Sequence, residues 1–141
     1  MWMKRALGGL MAAVAGMALC LSPAQAETAK IRETPAYKAG EWNYLKGCAG
    51  CHGVRGEAEH ALPRMEGFVG AFLCSAEARA YIVRLPNVAF STLDDRDLAD
   101  MMNYVVFDLG GQSAPKGARP YSPAEVAMLR RRRGEIGRAH V

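Results

Sequence analysis

The stretch Cys48-Ala49-Gly50-Cys51-His52 decides how this chain is interpreted, because it has the spacing C-x-x-C-H. This spacing is typical of the covalent attachment of a c-type haem. Two thiols three positions apart lie on one turn, so each can form a thioether bond with a different vinyl group of one macrocycle. The next residue can then present its imidazole to the iron as the proximal ligand. The stretch therefore predicts one covalent haem c, held by Cys48 and Cys51 and ligated by His52.

A C-x-x-C pair has two other interpretations, a redox-active dithiol and half of a zinc site. A redox dithiol is typical of a thioredoxin-like βαβ unit, and a zinc site needs a second ligand pair of similar spacing. Neither accompanies Cys48 and Cys51 in this sequence. Cys74 is left over as a single thiol for which the sequence indicates no role.

The first 26 residues have the pattern of a secretory signal peptide. Lys4 and Arg5 form a charged start, an apolar run covers residues 6–21, and Ala24-Gln25-Ala26 is a small-residue cleavage site. We therefore expect export to the periplasm and a mature chain that begins at Glu27. An uncleaved membrane anchor is the alternative, because the apolar run is close to the shortest length that spans a bilayer.

The rest of the chain has helical patterns and no convincing strand, so we predict an all-α fold. Proline or a capping residue stands at the start of each helical pattern, and Gly110-Gly111 ends the third. The predicted helices cover residues 36–46, 75–83 and 93–107, and a short final helix follows the capping box Ser122-Pro123-Ala124-Glu125. We divide the chain into a signal peptide (1–26), a helical domain (27–111) and a linker with a C-terminal extension (112–141).

Basic residues are concentrated in the C-terminal extension. The whole chain has a formal net charge of +4 at pH 7, and four consecutive arginines stand at its end, Arg130 to Arg133. A run of cations outside a folded domain is typical of an interaction segment. We predict that Arg130, Arg131, Arg132 and Arg133 form a weak contact with an acidic partner or a membrane surface. The alternative is an exposed helix end whose cations complement the helix dipole.

Between residues 36 and 107 the chain resembles the mono-haem class I c-type cytochromes. Gly40 and Tyr44 match the glycine and the aromatic residue on that family's first helix. Met101 and Tyr104 match the apolar residue and the tyrosine on its last helix, which crosses the first at the glycine. The resemblance implies a small helical domain wrapped around one covalent haem.

The loop after the C-x-x-C-H stretch extends the resemblance. Pro63 stands where the family's proline carbonyl accepts the Nδ1 proton of the proximal histidine, which implies a second-shell contact with His52. His60 falls near a loop histidine that bridges backbone groups in the family. Gly67-Phe68-Val69-Gly70 resembles the family's Gly-aromatic-Gly turn.

The sequence departs from the family at the distal iron ligand. The family's ligating methionine begins a run of the form Met-Ala-Phe-x-x-Leu, whereas the run here is Val88-Ala89-Phe90-Ser91-Thr92-Leu93. Valine has no lone pair to donate, so the sixth position is open or is filled by another residue. The candidates are Met65, Met101 and Met102, followed by His60, Cys74, Met128 and His140.

We expect the protein to transfer single electrons as the acceptor or carrier for a periplasmic dehydrogenase or oxidase. No paired acid and base is visible in the sequence, so we expect no enzymatic activity, and we expect no nucleic-acid partner. Two alternatives follow from Val88: an open-site haem protein that binds or senses a gas or peroxide, and a haem subunit of a larger redox complex. Arg84, near Val88, is the only nearby candidate for a distal proton donor.

Overall fold

A computed structural model describes residues 33–58 and 62–131 of the chain, and in these residues all regular structure is helical. The prediction of an all-α fold is therefore confirmed. The α-helices are α1 (Pro35–Gly47), α2 (Ala49–His52), α3 (Ala76–Arg84), α4 (Pro86–Ala89), α5 (Asp95–Asn103) and α6 (Pro123–Arg131). A 3₁₀ segment (Val69–Cys74) precedes α3, and a π-helical segment (Tyr104–Leu109) continues α5 into a short 3₁₀ turn (Gly111–Ser113).

Helix α1 begins with two local signals and buries one face. The Thr34 hydroxyl accepts a hydrogen bond from the Tyr37 amide at 3.2 Å, and Pro35 takes the first helical position, where no amide hydrogen is needed. Gly40 and Tyr44 are buried on the face that meets the rest of the molecule. The helix ends at Gly47, one residue beyond the predicted end.

Helices α1 and α5 cross at Gly40. A β-carbon at this position would overlap the carbonyl oxygen of Asp100, so only glycine permits the observed approach of the two backbones. Tyr104 packs against two aromatic side chains of α1, with ring centroids 5.5 Å from Tyr37 and 5.7 Å from Tyr44. The crossing fixes the end of α1 from which the C-x-x-C-H stretch continues.

Helix α5 is extended by a wider helical turn. Asp94 caps it by accepting a hydrogen bond from the Asp97 amide at 2.8 Å, as its position before an acidic first turn indicates. We predicted a helix to residue 107, and the structure continues the helix to Leu109 in π-helical form. The widened turn directs the Leu109 carbonyl to the amide of Gly67, at 2.7 Å, and brings Gly110 against Gly70.

The C-terminal extension belongs to the same hydrophobic core. Ser122 caps α6 through a hydrogen bond from the Glu125 amide at 3.2 Å, as the capping box predicts. Tyr121, Val126 and Leu129 are buried in the core cluster that also contains residues of α1, α3 and α5. No helix in the described ranges is long and apolar enough to cross a membrane.

Several predictions concern positions outside the described residues. They are the signal peptide, the loop histidine, the last two arginines of the run and the terminal histidine: residues 1–26, His60, Arg132, Arg133 and His140.

Candidate functional site

The C-x-x-C-H stretch forms one helical turn directly after α1. Cys48 donates its backbone amide to the Tyr44 carbonyl at 2.8 Å, and its own carbonyl accepts from the amides of Cys51 (3.1 Å) and His52 (3.0 Å). Its φ of −125° breaks the helical path between α1 and α2. The two thiols and the imidazole therefore belong to one turn, as their spacing predicts.

Tyr44 holds the far end of this turn in place. Its side chain is fully buried, and its hydroxyl donates a hydrogen bond of 2.6 Å to the carbonyl oxygen of Gly53, the residue after His52. Burial raises the pKa of this phenol, so the hydroxyl remains a donor throughout the neutral range. Gly53 has a φ of +79°, a conformation that favours glycine and turns the chain away from α2.

Cys48 lies against helix α5. Its Sγ atom is 3.8 Å from the Sδ atom of Met101, and its side chain is half-buried, whereas Cys51 is exposed. Burial raises the pKa of the Cys48 thiol, and the neighbouring Cys51 raises it further. A redox-active dithiol depends on a lowered thiol pKa. The surroundings of Cys48 thus favour its protonated thiol form at neutral pH.

His52 has one buried nitrogen that nothing satisfies within the described part of the chain. Nδ1 is buried without a hydrogen-bond partner. The hydrogen bond predicted between Nδ1 and the carbonyl of Pro63 is absent from the structure. Pro63 is exposed, and it stands in the loop that follows the undescribed residues 59–61.

The residues of the turn fit a covalently attached haem. Both thiols are free, and His52 has a ring nitrogen that makes no hydrogen bond within the described residues. Cys48 and Cys51 would hold the macrocycle and His52 would ligate the metal. Among the described residues, no group of three histidine, cysteine, aspartate or glutamate side chains could hold a metal ion by itself.

The chain was compared with protein-family models, with curated proteins and with solved structures. None of them matches it. The interpretation of the site therefore depends on its own residues.

The candidates for a sixth iron ligand lie in different surroundings. Met101 and Met102 are buried on α5, and Met101 is already in contact with Cys48. Met65 is partly buried and packs against the core, where its backbone amide donates to the Gly56 carbonyl at 2.8 Å. Met128 and Cys74 are exposed. The methionine side chains on α5 thus contribute to packing, and the identity of the sixth ligand stays a prediction.

Val88 lies in the short helix α4, partly buried against the core. Two polar atoms near it in sequence are buried without a hydrogen-bond partner among the described residues, Nε of Arg84 and Oγ of Ser91. Ser91 lies within the run from Val88 to Leu93, whereas Arg84 is the last residue of helix α3.

Arg130 does not lie at the surface, where the predicted contact with an acidic partner or a membrane would require it. Its guanidinium bonds to the segment between α4 and α5, and only 17% of its side chain is exposed. A cation surrounded by carbonyl oxygens is not available to an external partner. Arg131 is exposed, and the rest of the run lies outside the described residues.

Sequence reasoning also missed the pair that attaches α6 to α3. The Arg79 guanidinium makes two hydrogen bonds to the Glu125 carboxylate, at 2.6 and 2.9 Å, and lies over the ring of Tyr121 at 3.9 Å. The capping box marked Glu125 as a local residue of α6, and no sequence signal connected it with a residue 46 positions earlier.

Proposed function

We propose that this protein is a periplasmic mono-haem c-type cytochrome that carries single electrons for a dehydrogenase or oxidase partner. The observation that carries the proposal is the turn formed by Cys48, Cys51 and His52 after the end of α1, where Cys48 contacts Met101 of α5. The crossing of α1 and α5 depends on Gly40, and the turn is fixed by Tyr44. The chain thereby presents two free thiols and one imidazole from a rigid base.

The described residues have separate tasks in this function. Cys48 and Cys51 would hold the haem through thioether bonds, and His52 would ligate its iron. Tyr44 restricts the orientation of the turn by its bond to Gly53. When bound, the haem supplies an iron centre that cycles between ferric and ferrous states, and the protein sets its exposure and axial field.

Attachment is tested by staining for haem after denaturing electrophoresis of the exported chain. We expect covalent haem in the wild type, and at most one thioether bond in Cys48→Ala or Cys51→Ala. Cys74→Ala is the matched control because this thiol is exposed and free, and it should retain full staining. Undiminished staining in the double variant of Cys48 and Cys51 would contradict the proposal.

A second function is favoured by the surroundings of Val88. A valine at the ligand position and the unsatisfied, buried Nε of Arg84 suit an iron that binds a gas or peroxide beside a polar donor. Spectra separate the two functions. A carrier keeps low-spin bands that carbon monoxide leaves unchanged, whereas an open site shows high-spin iron and rapid carbon monoxide binding.

A further inference from the structure

Two thiols and a thioether lie close together where the C-x-x-C-H turn contacts helix α5. The Sγ atom of Cys48 is 3.8 Å from the Sδ atom of Met101. Cys51 follows on the same turn, and its backbone amide donates to the Cys48 carbonyl at 3.1 Å. Side chains three positions apart on a helical turn are neighbours, with β-carbons about 5–6 Å apart. The three sulfur-containing side chains therefore belong to one region of the molecule.

The spacing of Cys48 and Met101 suits two ligands of one metal ion. With metal–sulfur bonds of about 2.3 Å, two sulfur atoms at this separation reach the same ion at an angle close to the tetrahedral one. Without an ion, the thiol of Cys48 can donate only a weak hydrogen bond to the thioether. An ion between the two sulfur atoms would make a stronger contact than the one that they make by themselves.

The packing of the two helices holds both sulfur atoms in place. The Met101 side chain is 3% exposed, and its backbone nitrogen would be 3.2 Å from a β-carbon at Gly40, where α1 and α5 come closest. The Cys48 amide is bonded to the Tyr44 carbonyl at 2.8 Å. Cys51 is exposed, so an ion can enter from solvent on its side. The folded chain thus presents a preformed pair of ligands and an accessible third one.

The chemistry of the three side chains selects the metal. Thiolate and thioether sulfur atoms are soft ligands and prefer Cu(I). A structural Zn²⁺ site takes four ligands, drawn from cysteine, histidine and carboxylate side chains. Among the described residues, no group of three such side chains could hold a metal ion. The thioether of Met101 therefore distinguishes this set and favours Cu(I) over Zn²⁺.

We propose that Cys48, Cys51 and Met101 bind one Cu(I) ion through their sulfur atoms before haem is attached. Each thiol loses its proton to solvent as its bond to the ion forms. A cysteine sulfur that holds the ion is not free to add to a vinyl group, so Cu(I) and haem compete for the same two thiols. The site needs only reduced thiols and a folded chain, and it therefore does not depend on the proposed function.

The test uses the full chain, produced without haem and kept reduced, and titrates it with Cu(I) in competition with the coloured chelator bicinchoninate. Met101→Leu removes the sulfur and keeps an apolar side chain of similar volume. Met102→Leu is the matched control, because Met102 is equally buried on the same helix. Every protein also carries Cys20→Ala and Cys74→Ala, so that the thiols of the turn are the only ones present. X-ray absorption at the copper edge counts the sulfur ligands.

We expect one Cu(I) ion per chain with three sulfur ligands in the protein that keeps both methionines. Met101→Leu should bind at least about tenfold more weakly, since even the outer-shell partners of a metal contribute that much, and should keep two sulfur ligands. Met102→Leu should match the protein with both methionines. An unchanged affinity in Met101→Leu overturns the proposal, and so do two sulfur ligands in the protein that contains Met101.

The outcomes for Cu(I) and for haem are separate. A chain that stains for covalent haem and binds no Cu(I) in its haem-free form overturns this inference alone. A chain that binds Cu(I) with three sulfur ligands and never stains for haem supports this inference and contradicts the proposed function.

Discussion

Gly40 is the residue at which helices α1 and α5 come closest, because an added β-carbon would overlap the Asp100 carbonyl oxygen. Gly47, further along the same helix, has no atom within 4 Å of such a β-carbon. The two glycines therefore separate the effect of close packing from the general preference of a helix for alanine. At Gly40 the steric effect is the larger one.

Replacing Gly40 with alanine should lower the free energy of unfolding by about 1–3 kcal/mol, because the helices must move apart to admit the methyl group. Gly47→Ala should be neutral or stabilising by up to about 1 kcal/mol, since alanine is the better helix former. Urea unfolding followed by circular dichroism gives both values. Equal effects of the two substitutions would show that the crossing does not depend on Gly40.

Helix α6 is held as an element by the pair of Arg79 and Glu125, whose side chains are 11% and 14% exposed. The hydrogen bonds from Arg79 hold the pKa of the Glu125 carboxyl below its ordinary value of 4.5, against the opposing effect of burial. The folded state therefore favours the charged carboxylate. This contribution to stability is fully present above pH 4.5 and is lost as the pH falls through the lowered pKa.

Glu125→Gln should destabilise the protein by roughly 1–3 kcal/mol near neutral pH, between the values typical of exposed and buried ion pairs. The difference from the wild type should shrink in acid, where the wild-type carboxylate is protonated. Unfolding free energies measured at several pH values test this. Glu66→Gln is the control, because Glu66 pairs with the exposed Arg64, and its effect should stay below about 1 kcal/mol. A pH-independent difference for Glu125→Gln would contradict the argument.

The helices were predictable where their signals are local. Ser75 and Ser122 lie within three residues of the amides they cap, so the sequence alone marks the starts of α3 and α6. The π-helical form of residues 104–109 was not predictable, because it is stabilised by the contact of Leu109 with Gly67. The acceptors of Arg130 lie 35 to 41 positions away, and nothing in a run of four arginines distinguishes the one that meets them.

The same difference between local and distant contacts applies to the candidate site. The turn of Cys48, Cys51 and His52 follows from five consecutive residues, and the structure brings them together as expected. The contact of Cys48 with Met101 joins residues 53 positions apart, although the predicted helix crossing placed their helices side by side. Sequence patterns thus locate the reactive groups and leave the side chains that surround them undetermined.

For the whole molecule, the C-terminal segment is part of the folded core, since Tyr121, Val126 and Leu129 are buried in it. Each buried side chain of this size contributes about 1.5–3 kcal/mol. A chain that ends at residue 119 should therefore lose several kcal/mol of stability and melt at a clearly lower temperature. Thermal unfolding by circular dichroism measures the loss.

The control for this truncation is Met128→Ala in the full chain, because the Met128 side chain is 43% exposed on the same helix. Its melting temperature should stay close to that of the wild type. If the truncated chain melted at the wild-type temperature, the core would end before Tyr121, contrary to the packing described above.

The crossing at Gly40 also determines where a loop of the polypeptide chain closes. The contact between Gly40 and Asp100 closes one loop, and this loop contains the attachment turn, the 3₁₀ segment and helices α3 and α4. The entropic cost of closing a flexible loop rises only slowly with the length of the loop, by about 0.6 kcal/mol for each doubling. Lengthening an exposed loop within the enclosed chain should therefore add little to the cost of closure, whereas the single position where the loop closes cannot change.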